Sequence, residues 1–454
     1  MESKTERNED KVFKLSLESV GKFQLGKRIV LIPEMNRIAA YLFASTFKSF
    51  GIDARVLETF KGMDLGIEYT SGKECYPCQV TMGDILYFAK KEKERLGDAF
   101  KPENYVYFLP ESDGPCRYGM YNKYQRIVLD SFPGLDKLKI FSLTTKDGYS
   151  VDGMIPSEQI LDFKKAGYFS LLIADLMDRL LWRIRPYEKK PGMADEFIER
   201  AMRVMGQCFE AYGQSLEFDR ILSRLEEIIG EGNTIIDPEV PQKPLIGIVG
   251  EIFLRMHCGS NQDLIRTLER HGAEVVNASL CEWVNYASYE PLREARENFR
   301  LNLKSLRLGH LKTYIKDMMR YGLDLFYKEH KQKQVYKRVQ PLLNLADDHK
   351  ISHLEKILKE DDIFSFDVGT EACLSISAII QYAREGYNGI VNVYPFTCMP
   401  STTTSAVVRP LMNRLGVPYL DTPYDASIQP GREAAIRTFM YQAYQHYKRH
   451  GRKV

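Results

Sequence analysis

Eight cysteines occur in the chain, and four of them sit in segments with the composition of turns. Cys75 and Cys78 lie in Lys73-Glu74-Cys75-Tyr76-Pro77-Cys78. Cys116 lies in Gly114-Pro115-Cys116-Arg117-Tyr118-Gly119, and Cys398 in Pro395-Phe396-Thr397-Cys398-Met399-Pro400. The flanking prolines and glycines punctuate the chain at turns. Thiols at loop tips are poorly placed for core packing and well placed to converge on a metal. Four thiolates from separate loops are the usual ligand set of a [4Fe–4S] cluster. C-x-x-C by itself also fits zinc or a dithiol–disulfide pair. A zinc site draws on two close pairs, whereas Cys116 and Cys398 are far apart in sequence. A thioredoxin-like motif leaves those two loops unexplained. The residues therefore point first to an iron–sulfur centre at Cys75, Cys78, Cys116 and Cys398, with a zinc-binding or cluster-free binding protein as alternatives.

The other four cysteines read differently. Cys208, Cys281 and Cys373 stand in apolar surroundings and read as small core residues. Cys258, in Met256-His257-Cys258-Gly259, is held as a reserve ligand. Glu251 and Glu371 fall where strands give way to loops or helices and read as solvated carboxylates or, alternatively, substrate-contacting acids. Ser401 to Ser405 read as helix-capping residues that could also donate to cluster sulfurs or a phosphate. Phe366-Asp367-Val368-Gly369-Thr370 has the look of an ATPase phosphate loop, but no second such loop and no G-x-x-x-x-G-K-[ST] accompanies it, so it reads as a helix-start turn. No G-x-G-x-x-G follows a strand, and the histidines are scattered, so neither nicotinamide binding nor a histidine metal triad is expected.

These side chains need elements to position them. At 454 residues the chain exceeds one ordinary core, and two or three domains are expected. Short apolar runs at Arg28–Pro33, Ala54–Leu57, Tyr105–Pro110 and Lys139–Leu143 read as strands, separated by helical stretches from about 36 to 50 and from about 83. This alternation predicts an α/β fold of parallel sheets with crossover helices. Residues 1–26 read as a tail, 27–150 as a first subdomain and 151–240 as a helical bridge. A second subdomain covers 241–445, with strands at Leu245–Gly250, Glu274–Val276, Gly389–Tyr394 and Val417–Leu420, and a helical insertion about 291–360. Residues 446–454 form a basic tail. Ligands of open α/β sheets sit beyond the carboxyl ends of strands. Two facing units of this kind would bring Cys75, Cys78, Cys116 and Cys398 to one cleft.

Lys plus Arg is 63 and Asp plus Glu is 61, a balance that argues against a nucleic-acid field. The most apolar stretch, Tyr168–Trp182, is interrupted by Asp175, Asp178 and Arg179, so a buried helix is expected rather than a membrane span. The polar segment Met1–Asp10 shows no signal peptide, and a cytoplasmic protein without structural disulfides is expected.

The chain resembles the 2-hydroxyacyl-CoA dehydratase component D family, which includes benzoyl-CoA reductase subunits. It looks most like the C-terminal domain of large acyl-CoA dehydratase activase-related proteins. The resemblance rests on Gly72–Cys78, Gly114–Gly119, Gly250–Arg255, Leu268–Val275 with Glu282-Trp283, and above all Gly389–Pro400. It implies two Rossmann-like subdomains with a [4Fe–4S] cluster in the cleft between them, ligated by Cys75, Cys116 and Cys398. Cys78 is an addition. If it ligates, the cluster is closed and suits an electron carrier or accessory subunit. If it does not, one iron stays open for a substrate oxygen. Arg117 would help tune the cluster. The family's activity is low-potential electron transfer to, or radical activation of, an acyl-CoA-type substrate. This sequence holds no ATPase module, so the resemblance implies a separate ATP-dependent activase as partner, in a homo- or hetero-oligomer. The Gly-Glu-Ala-type turn of relatives appears here as Gly369-Thr370-Glu371-Ala372-Cys373.

Overall fold

Two all-parallel sheets organise the chain. The computed structural model describes residues 20–112, 114–144, 149–305, 308–360 and 362–453. The first sheet holds β1 (Val20–Gly21), β2 (Ile29–Ile32), β3 (Ala54–Val56), β4 (Tyr105–Phe108) and β5 (Lys139–Phe141), in the order β1-β5-β4-β2-β3. The second holds β6 (Leu245–Gly250), β7 (Glu274–Asn277), β8 (Gly389–Pro395) and β9 (Tyr419–Tyr424), in the order β7-β6-β8-β9. Every pairing in both is parallel. The central strands β4 and β6 are buried along their whole length, as sheets covered by helices on both faces require. No helix among the described residues is long and apolar enough to cross a membrane.

The two sheets share one winding. Setting β1 aside, each places its second strand, first strand, third strand and fourth strand side by side. The chain direction across the sheet therefore reverses between β2 and β4, and again between β6 and β8. At such a reversal the two connecting segments leave in opposite directions and open a crevice at the strands' carboxyl ends. β1 lies inside the stretch read as a tail. It pairs with β5, and Leu25 donates its N–H to Gly153 O at 2.9 Å, so residues 20–25 are docked.

A long helix, Ile160–Ile184, ties the halves together. Its polar residues are the ones that break the apolar run. Asp178 accepts a 2.6 Å hydrogen bond from Asn36, which caps the helix Arg37–Ser49 after β2. Asp175 accepts 2.9 Å bonds from the N–H groups of Leu280 and Cys281, at the start of the helix Leu280–Lys304 after β7. Arg179 pairs with Asp348 in the interior. Cys281 thus opens a helix rather than ending a strand, and it is fully buried.

A second junction crosses directly between the halves. Ser260 N–H donates to His257 Nδ1 at 3.0 Å. That leaves the proton on Nε2, which donates to Thr59 Oγ1 at 2.9 Å. The Thr59 hydroxyl in turn donates to Asp84 at 2.8 Å. Burial holds the imidazole neutral, with its pKa pulled down to about 4, and pushes the Asp84 carboxyl up to about 7. Between pH 6.5 and 4 the unfolded chain protonates His257 while the folded chain resists, so this residue's contribution is complete above pH 6.5 and falls away as pH drops toward 4. Asp84 runs in the opposite sense and is common to wild type and variant. Chemical denaturation across pH 4–7.5 should therefore show the wild type losing stability relative to His257→Gln on acidification, by on the order of 3 kcal/mol over the whole range.

Candidate functional site

The three cysteine loops meet at the carboxyl ends of the two sheets. Cys75 caps the helix Tyr76–Leu96, Cys116 follows β4, and Cys398 follows β8 at the start of the helix Met399–Leu415. Arg117 fastens them. Its guanidinium donates to Lys73 O at 2.6 Å and to Thr397 O at 3.1 Å, joining the Cys116 loop to the segments just before Cys75 and Cys398. Two of the joined loops carry unfavourable backbone: Cys75 has φ 101° and Thr397 has φ 63°. Non-glycine residues in this region cost of order 1–3 kcal/mol each and persist where surrounding contacts impose them.

Close approach of backbone sets the Cys75 loop. The helix Met63–Glu68 lies against Tyr76–Leu96 so tightly that a Cβ at Gly62 would stand 2.1 Å from Gly83 O, and one at Gly66 would stand 2.2 Å from Gln79 O. The helix begins at Tyr76, not near residue 83, because Pro77 takes one of the first helical positions, where its missing N–H costs nothing. Cys78 therefore lies in the first helical turn rather than at a loop tip. Its side chain is fully buried among Met82, Tyr107 and Tyr121, beside Gln125.

Electrostatics records which thiols share a neighbourhood. Burial first, then the Glu251 carboxylate, pushes the Cys75 thiol up to about 12, with Cys116 adding to the effect. Burial and Glu371 push Cys116 up to about 11. Burial, Glu371, Glu251 and Cys75 all push Cys398 up. The charged neighbours of Cys78 are Glu74 and Arg117. Cys258 is exposed and faces Asp263, Asp178, Arg185 and Arg266. Glu251 thus bears on Cys75, Cys116 and Cys398 alike, while Cys78 sits one helical turn past Cys75 and shares Arg117 and Tyr121 with it, and Cys258 lies among a different set of charges. All eight cysteines are free thiols. Among the described residues, no three His, Cys, Asp or Glu side chains are gathered tightly enough for a single metal ion.

Two carboxyls complete the neighbourhood, and sequence reasoning set them on the surface. Glu251 directly follows β6 and caps the helix Ile252–Met256, accepting from Phe253 N–H at 3.1 Å and Leu254 N–H at 2.9 Å. Glu371 opens the helix Thr370–Glu385 and accepts from Ile252 N–H at 2.9 Å. Both are partly buried, burial dominates their titration, and Glu251 lines a neighbouring cavity. Burial and the negative charge of Glu251 push Glu371 up to about 8. The cysteines were singled out by flanking prolines and glycines; the signal for Glu251 was its place just past the strand Leu245–Gly250.

The cavity, of about 310 Å³, opens beside the thiols. Strand ends from both sheets line it: Ile32 and Pro33 after β2, Leu109 after β4, Glu251 and Ile252 after β6. Tyr118 and Tyr121 form the wall on the cysteine side; burial pushes both phenols well up, so they stay neutral. Lys164 and Lys328 are the cations on its lining. An apolar pocket with a few convergent polar groups is the usual form of a small-molecule site.

No known family model matches this chain, and no curated protein shows significant similarity to it.

Replacing Arg117 with Met should release the three loops from one another. Hydrogen bonds from a charged donor contribute about 1.5–3 kcal/mol when buried, and less at this half-exposed position. Amide exchange at Cys78 and Cys398 should quicken roughly tenfold, the equivalent of about 1.4 kcal/mol, with little change along β4 or β6. Exchange rates equal to the wild type's would mean that the loops are held by other contacts.

Proposed function

We propose that Cys75, Cys116 and Cys398 hold a [4Fe–4S] cluster and that the protein delivers single low-potential electrons to an acyl-CoA-type substrate, working with a separate ATP-dependent activase. The observation that carries this reading is the bridge from Arg117 to Lys73 and Thr397, which gathers three cysteine loops from two sheets at one point. The shared strand order supports reading each half as a Rossmann-like unit, with the site in the cleft between them.

The donor set fits an iron–sulfur group. Three thiols and two carboxyls cluster here against two cations, Arg117 and Arg255. Left alone, thiols so placed stay protonated, since burying unpaired anions is expensive. Iron supplies the missing positive charge, and thiols that ligate a metal lose their protons. When bound, the group supplies one-electron chemistry at low potential. The residues around it do the rest. Arg117 holds the loops in register. Tyr121 hydrogen-bonds to Cys75 and separates it from the cavity. The apolar walls exclude water and accept the acyl portion of a substrate, and Glu251 stands where that cavity meets the thiols. The cavity favours a substrate-binding protein over a simple electron carrier. Free thiols throughout suit a reducing, cytoplasmic setting.

Anaerobic purification or reconstitution should yield brown protein with iron and sulfide each near ~4 per chain. Cys116→Ala and Cys398→Ala should lose most of that iron, whereas Cys208→Ala should keep it. A colourless protein loaded with zinc, or iron retained equally by all variants, would sink the reading.

A further inference from the structure

The helix Leu311–Val339 is buried along one face and exposed along another. Tyr321, Leu325, Gln332, Val335, Tyr336 and Val339 turn inward, as the 3.6-residue period requires. The outward face of such a helix is ordinarily polar. Here Ile315, Met319, Leu323 and Phe326 lie on it, between 43% and 68% exposed, and His330 stacks on Phe326 with ring centres 5.9 Å apart. Scattered singly, exposed apolar side chains are ordinary; contiguous on one face, they mark an interaction surface.

Two details say what that surface fits. The first is Gly322. Ile315, Met319, Gly322 and Phe326 are spaced by four, three and four residues, the seam along which a second helix packs. Gly322 leaves a gap in the middle of the seam. Among the described residues, a Cβ there would meet only Leu292 Cδ1, at an ordinary 3.8 Å, so the chain's own packing has room for alanine. Glycine weakens a helix interior relative to alanine. The packing within this chain gives no reason for that loss, whereas a side chain from a facing helix would fill the gap.

The second detail is charge. Lys312 and Lys316 stand exposed at one end of the apolar stretch, and Lys333 and Lys337 at the other. The acids of this helix, Asp317, Asp324 and Glu329, are partly buried, and the last two pair with Lys328 and Lys350. The face is therefore apolar in the middle and cationic at both ends. A second copy of this chain fits it poorly, because pairing in either direction sets lysines against lysines. A bilayer has no side chain to seat at Gly322.

We propose that this face of the helix Leu311–Val339 docks an amphipathic helix of a partner protein, with a large apolar side chain seated at Gly322 and acidic residues opposite the lysines. Helix-on-helix recognition of this kind is read through anchors three and four residues apart. The proposal stands apart from the cluster reading, since Ile315, Met319, Gly322 and Phe326 belong neither to the cavity lining nor to the cysteine loops. Opposed charges steer the encounter, so binding weakens as salt rises.

The probe is a synthetic helical peptide with leucine at its seam positions and glutamate on both flanks, labelled for fluorescence polarisation. Its own glutamates keep it from pairing with itself. The full chain should bind it, and less tightly at high salt. Phe326→Glu, Gly322→Leu and the double variant Lys333→Glu with Lys337→Glu should each weaken binding by about tenfold or more, with circular dichroism checking each fold. Gly322→Ala should resist denaturation at least as well as the wild type. No binding by the wild type, equal binding by Phe326→Glu, or a Gly322→Ala chain less stable than the wild type would overturn the proposal. So would binding to phosphatidylserine vesicles in place of the peptide, which assigns the face to a membrane. A dimer in sedimentation that Phe326→Glu dissolves would overturn it too, in favour of a second copy.

Discussion

The guanidinium of Arg117 is the contact on which the site depends. It is fixed to a loop of the first sheet and donates to carbonyls on either side, one before Cys75 and one before Cys398. A guanidinium suits this task because its donors form a rigid planar fork and its charge is permanent. A lysine offers a point charge on a flexible stem and would not hold two carbonyls at a set angle. The carbonyls it binds belong to segments with unfavourable backbone, at Cys75 and Thr397, which surrounding contacts must hold in place. The bridge and the strain therefore oppose each other, and the observed loop positions are their compromise.

Around that bridge the chain assembles an excess of acidic groups. Three thiols and two carboxyls lie within electrostatic reach of one another, with burial raising the pKa of every one. In a core built for stability alone such a collection is a defect, since each group resists ionisation and none packs as well as an aliphatic side chain. The arrangement makes physical sense if a cationic group is expected to enter. Cys78 is fully buried beside Gln125 and packed with Met82, Tyr107 and Tyr121, although Glu74 and Arg117 lie within electrostatic reach of it.

Much of this was legible in the sequence, for specific reasons. Eight of the nine strands among the described residues fall within or overlap apolar runs bounded by Pro, Gly or charged residues, most clearly β4 and β6, because a strand buried on both faces has nowhere to put polar side chains. The ninth, Val20–Gly21, is two residues long at a sheet edge and carries no such run. The Cys116 and Cys398 loops were legible because turn residues flank them. Cys78 was misplaced because Pro77 reads as a loop residue when it is equally a helix-start residue. Glu251 and Glu371 were read as surface groups because sequence alone assigns a lone carboxylate to water. Their environment follows from a contact within the second half, between segments more than a hundred residues apart, that no local pattern encodes. The bridge helix shows the reverse case. Asp175 and Asp178 interrupt its apolar run, and each proves to anchor the chain just beyond a strand of a different half.

Those anchors bear on how the two halves can move. The cavity has walls from both, so any change in their angle changes its shape. The helix Ile160–Ile184 grips each half by a buried aspartate, and the chain Ser260–His257–Thr59–Asp84 fastens them again on the cysteine side. With two junctions, a wide hinge opening would break several buried hydrogen bonds at once, each leaving unsatisfied donors or acceptors at about 1–3 kcal/mol. Small shifts within the loops cost far less, because Arg117 is half-exposed and water can replace it. Movement of the three loops is therefore less costly than rotation of the sheets.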